Sequence, residues 1–128
     1  MKIEHIAVAS NSEYESDRFF IDLLELKKIR KFAVNENLME KFFGIRKEQE
    51  IIRYSNEEIN IEVFILNDNT TAKDIFTHSC LIIEHRNKLI SRAKSMGYSV
   101  IKVQRENSTN FYLFIKDSFG NLFEIKSP

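Results

Sequence analysis

Two histidine–glutamate pairs, His5 with Glu62 and His78 with Glu124, carry the residue types in this chain that could do chemistry. The chain has only three histidines, and two of them stand at matching places, in Glu4-His5-Ile6-Ala7-Val8 and Thr77-His78-Ser79-Cys80-Leu81. Neutral imidazole donates nitrogen to a borderline divalent ion, and carboxylates neutralise its charge. If the two halves fold alike and face each other, all four side chains could meet at one point. A carboxylate in such a place, partly desolvated, can also act as a general base. A proton next to a carbonyl is weakly acidic, so stabilisation of the oxyanion must supply most of the help.

The setting of the carboxylates supports this reading. Glu62 is flanked by Ile59, Ile61, Val63, Phe64 and Ile65, and Glu124 by Leu122, Phe123 and Ile125. A charge in an apolar strand needs a partner or must face solvent, because burying it alone is costly. Other polar residues have blander settings. His85, in Glu84-His85-Arg86-Asn87, reads as an exposed junction residue. Tyr54 and Tyr112 could line a pocket, but strand aromatics read first as core. Lys27-Lys28-Ile29-Arg30-Lys31 reads as a solvated strand edge, and Lys102 and Arg105 call for the same caution. Cys80 sits in an apolar run and reads as a buried, unreactive thiol.

Short elements must position these residues. Residues 3–9 alternate as a strand. Ser12-Glu13-Tyr14-Glu15 is a capping box opening an amphipathic helix that carries Phe19, Phe20, Leu23 and Leu24 and ends near Leu26. Strand 28–34 follows, then a short helix from Glu36 to Phe43 stopped by Gly44. Residues 50–55 and 59–66 read as a hairpin turning through Asn56-Glu57-Glu58. The polar stretch 67–75 joins the halves. The second half repeats the order: strand 77–84, helix 88–96 stopped by Gly97, then strands 98–103, 111–116 and 122–126. Element order, more than residue identity, carries the repeat.

Composition bounds the rest. A chain of 128 residues with 43% hydrophobic and 30% charged residues suits one globular domain with a real core. The 19 basic and 19 acidic residues cancel, leaving no electrostatic footprint for nucleic acid. No apolar run approaches a membrane span or a signal peptide, and a lone cysteine suits a reducing compartment, so the expectation is a cytoplasmic protein.

The chain resembles the glyoxalase family, or vicinal oxygen chelate superfamily. The resemblance rests on His5-Ile6-Ala7-Val8, the helix end Phe19-Phe20…Leu23-Leu24-Glu25-Leu26, Phe76-Thr77-His78, and above all Asp117-Ser118-Phe119-Gly120-Asn121-Leu122-Phe123-Glu124-Ile125. It spans nearly the whole chain, with only residues 35–55 individual. It implies an α+β fold of two βαβββ modules, a mixed sheet with flanking helices. One domain would divide into module one at about 1–66 and module two at about 76–128. It implies His5, Glu62, His78 and Glu124 as ligands of a divalent ion, with nickel, cobalt or zinc ahead of iron or manganese. The implied activity is a glyoxalase-like lyase or isomerase acting on a small carbonyl compound through a metal-bound enediolate. Glu124 or Glu62 would be the base, and the protein a homodimer.

Departures narrow the substrate. Ala9 stands where glutathione-using glyoxalases carry an arginine, and Glu62 where coenzyme A-ester epimerases of the family commonly carry glutamine. Ser118 and Phe119 replace the usual turn residues, and Glu25 replaces a helix-ending glycine. Alternative activities within the resemblance are an iron ring-cleaving dioxygenase, against which a fourth ligand at Glu62 argues, and a non-enzymatic drug-sequestering protein.

Overall fold

Both halves of the chain are organised around one strand-pairing scheme. The computed structural model describes residues Met1–Pro128 and separates into two units, Met1–Thr70 and Thr71–Pro128. The first unit runs β1 (Ile6–Ser10), α1 (Glu13–Asp17), a π-helical segment (Arg18–Leu23), β2 (Lys27–Val34), α2 (Glu36–Phe43), β3 (Gln49–Ser55) and β4 (Asn60–Ile65). The second runs β5 (His78–Ile82), α3 (Arg86–Ser95), β6 (Ser99–Gln104), β7 (Phe111–Lys116) and β8 (Leu122–Lys126). The sheets are ordered β1-β4-β3-β2 and β5-β8-β7-β6. In each, the first strand lies parallel to the last, and the remaining pairs are antiparallel. These are the two βαβββ modules expected, with α2 inserted in the first.

Local chemistry sets most of the element ends. Ser12 accepts the Glu15 amide at 3.1 Å and starts α1. Past Asp17 the helix widens, with the Leu24 amide bonding to the Phe19 carbonyl at 3.0 Å. It closes at Leu24, earlier than the residue 26 expected. Glu25 then takes a left-handed φ of 61°, a conformation that costs a non-glycine residue about 1–2 kcal/mol. Asn35 caps α2 through the Leu38 amide at 2.9 Å, and Gly44 ends it at φ 73°, as the sequence predicts.

The buried side of unit one is built from Phe19, Phe20 and Leu23 together with Ile52, Tyr54, Ile61, Val63 and Ile65. Phe20 stacks on Tyr54 at 5.3 Å between centroids, and the Tyr54 hydroxyl donates to Asp17 at 2.6 Å. Tyr54 is therefore core. In unit two the buried set is Leu89, Ile90, Ala93, Leu113, Ile115, Phe123 and Ile125. The basic cluster lies on the edge strand β2, and two of its four charges are paired. Lys28 bridges Glu13 and Asp17, and Lys31 bridges Glu13 and Glu50. No helix is long and apolar enough to cross a membrane.

The turn before β8 depends on a buried carboxylate. Asp117 is 8% exposed and accepts the amides of Gly120 and Asn121 at 2.9 and 2.8 Å and the Asn121 side chain at 2.7 Å. Burial outweighs these donors and pushes its carboxyl up to about 6. The folded form therefore holds the proton more tightly than the unfolded chain. Its stabilising contribution is complete below about pH 4 and is lost as pH rises through about 6. The wild-type stability advantage over Asp117→Asn should accordingly shrink by on the order of 2–3 kcal/mol between pH 4 and pH 7. Urea titrations of both proteins across that range measure it. A constant difference would mean the donors keep Asp117 ionised throughout.

Candidate functional site

Each unit brings one histidine against one glutamate, and does so by the same register. In unit one Glu62 on β4 lies opposite Ala7 on β1, and His5 is two residues upstream of Ala7. In unit two Glu124 on β8 lies opposite Cys80 on β5, and His78 is two residues upstream of Cys80. His5 precedes the first paired residue of β1 rather than lying within the strand as expected; His78 begins β5. The result is a His5 Nε2 to Glu62 Oε2 distance of 3.6 Å and a His78 Nε2 to Glu124 Oε2 distance of 3.4 Å.

Strand alternation explains how the carboxylates are tolerated. Ile61, Val63, Phe123 and Ile125 point into the cores, which turns Glu62 and Glu124 to the opposite faces. There the glutamate side chains are only 14% and 18% exposed, while His5 and His78 are 40% and 36% exposed.

The second ring nitrogen of each histidine is already engaged. His78 Nδ1 lies 2.7 Å from the Phe76 carbonyl, an acceptor that requires the proton on Nδ1. His5 Nδ1 pairs with the Glu4 carboxylate at 2.5 Å. Both arrangements leave Nε2 as the donor nitrogen, aimed at a carboxylate. Metal–ligand bonds of about 2.1 Å place neighbouring ligand atoms about 3–3.5 Å apart, close to the spacing within each pair. The donors thus fit a divalent ion in kind and in pairwise spacing. No group of three or more His, Cys, Asp or Glu side chains is arranged to hold a metal ion; the donors stand as two separate pairs.

The surroundings of the two pairs differ. Arg53 on β3 lies opposite Glu62, with its guanidinium 3.8 Å from Glu62 Oε1. Arg53 also donates to Glu4, and this bond, ahead of the one from His5, holds the Glu4 carboxyl low, at about 2. In unit two the residue opposite Glu124 on β7 is Phe114, whose ring meets His78 edge-on at 5.5 Å. Lys126 Nζ stands 3.7 Å from Glu124 Oε1.

Arg53, Glu4 and Lys126 were not picked out from the sequence. The hairpin turn would have pointed to Arg53, since pairing Ser55 with Asn60 carries Arg53 opposite Glu62. Cys80 corrects the sequence reading: it is exposed, not buried, because it shares the face of Glu124. Its thiol is pushed up by partial desolvation against the sheet and by the Glu124 charge, which keeps it protonated and poorly nucleophilic. His85 is exposed, as expected, and its side chain makes no capping bond to α3.

No protein-family model matches the chain, and no curated protein matches it in sequence. Solved structures do match its fold. A glyoxalase family protein from Bacillus cereus aligns at TM-score 0.77 and 17% identity, covering 99% of this chain and 93% of that one. The fosfomycin resistance protein FosX from Listeria monocytogenes aligns at TM-score 0.73 and 12% identity, covering 100% and 93%. A mutant of that FosX, complexed with Mn(II) and 1S,2S-dihydroxypropylphosphonic acid, aligns at 0.72 and 12%, covering 98% and 88%. Over its whole length, then, this chain has the two-module fold of the glyoxalase-family and FosX structures.

Proposed function

We propose that the chain is a divalent-metal-dependent protein that acts on a small oxygen-bearing molecule, with His5, Glu62, His78 and Glu124 as the metal ligands. The observation that carries this is the repeated register: two unrelated stretches of sequence each set a histidine Nε2 within 3.6 Å of a largely buried carboxylate. A solvated sheet face has no reason to build that twice. The Mn(II) complex of a FosX neighbour supports a divalent ion in this fold.

The reaction proposed is proton removal next to a carbonyl, of the glyoxalase type. When bound, the ion supplies positive charge at the oxygen that becomes an oxyanion. The chain's own residues do the rest. The Phe76 carbonyl holds the His78 ring in one tautomer and orientation. Glu124 lies across from Phe114 on β7, with Lys126 near enough to offset its charge. Each glutamate has one cation near it, Arg53 at 3.8 Å from Glu62 and Lys126 at 3.7 Å from Glu124, and either is proposed as the base. Ala9 offers no cation to a carboxylate, so the substrate proposed is not a glutathione adduct.

Dialysis of purified protein against nickel, cobalt or zinc, followed by elemental analysis and thermal unfolding, tests the reading. One equivalent per chain and a raised midpoint are expected, since an ion at about 100 times its Kd adds about 2.7 kcal/mol. No stoichiometric uptake and no stabilisation by any of the three ions would sink the proposal.

A further inference from the structure

We infer that the second unit carries a binding hollow for a small oxyanion, a carboxylate or a phosphate, with Arg105 as the receiving group. The hollow has a volume of about 210 Å³ and is lined by Arg86, Arg105, Asn110, Tyr112, Glu124 and Lys126, among others. That is room for several waters at about 30 Å³ each, or for one small anion with its hydration.

The three cations in its wall have different duties. Arg86 is committed to the framework. It donates to the Phe111 carbonyl at 3.1 Å and to Asn110 Oδ1 at 2.7 Å, and lies over the Phe111 ring at 4.0 Å. Lys126 meets only Glu124, at the long distance already given. Arg105 has no carboxylate partner; its guanidinium lies over the Tyr112 ring at 4.3 Å. Its Nε is buried with no hydrogen-bond acceptor.

An N–H of a charged group left buried and unpaired is costly. Because Nε itself has no exposed surface, an anion in the hollow would meet the guanidinium through its terminal N–H groups. Stacking on Tyr112 fixes the plane of the guanidinium, and a planar fork held this way suits the two oxygens of a carboxylate or phosphate. Three cationic side chains against one carboxylate side chain, Glu124, leave the wall's side chains net positive. The inference stands on this wall alone and not on the metal reading.

Titration of ¹⁵N-labelled full-length protein with inorganic phosphate, and separately with acetate, tests it. Chelator is present throughout, and sodium chloride keeps the ionic strength constant. A saturable shift of the Arg105 Nε–H and Asn110 side-chain resonances is expected. Arg105→Gln should weaken binding at least ten-fold, while Arg46→Gln, which removes a surface ion pair in the first unit, should leave it unchanged. The arm that saturates identifies the class of anion. Non-saturating drift in both arms, or equal affinity in Arg105→Gln with its spectrum still that of a folded protein, would overturn the inference. Phosphate or acetate binding in a protein that takes up no metal would leave the hollow standing and remove the metal reading.

Discussion

His78→Ala should bind nickel at least about 100-fold more weakly than the parent chain, with its fold unchanged. Loss of groups that merely orient a ligand already costs 10–100-fold in metal affinity, and this substitution removes the ligand itself. The side chain is more than a third exposed and meets the edge of Phe114 on the face away from the core, so its removal leaves little cavity. Glu124→Gln should behave similarly, since the neutral amide keeps the shape and loses the charge that offsets the ion.

The informative comparison is with His5→Ala in the other module. If one ion draws on both pairs, His5→Ala and His78→Ala should weaken the same binding event, and the double variant should show no residual site. Competition against a chromophoric chelator measures all of these. Undiminished affinity in both single variants would remove the pairs from any metal role.

Phe20→Ala is expected to cost about 3–5 kcal/mol, the largest stability loss of any substitution considered. Phe20 is fully buried, with Phe19 edge-on at 5.1 Å and Tyr54 stacked at 5.3 Å. Its removal leaves a void that the hydrogen-bonded Tyr54 is not free to fill. Against a usual net stability of about 5–15 kcal/mol, this approaches unfolding of the first module.

The consequence reaches the site. Tyr54 is the neighbour of Arg53 and pairs with Ile61, the neighbour of Glu62. Loosening that layer should also release the His5–Glu62 register. Urea denaturation followed by circular dichroism gives the magnitude, and a loss below about 1 kcal/mol would show that the core repacks.

Much of this architecture is legible in the sequence because its causes are local. Ser12, Gly44 and Gly97 act within one helical turn of themselves, and strands β7 and β8 end where the composition changes. The helix closure at Glu25 was harder to read. The π-helical widening upstream and a glutamate at positive φ are announced by no spacing of apolar residues.

For the site, the sequence by itself determined the donors. It supplies two imidazoles and two carboxylates at equivalent places in a repeated order, with hydrophobic neighbours that force each glutamate onto the face away from the core. Only the tertiary structure decided what those donors meet. Strand register places Arg53 beside Glu62 and Phe114 beside Glu124, so two carboxylates of one type acquire different electrostatic surroundings. The same pairing exposes Cys80, since an apolar run with residues of both parities does not say which parity faces the core. Residue type and periodicity are properties of a segment. Register and facing belong to pairs of segments distant in sequence, and they arise only when the sheet forms.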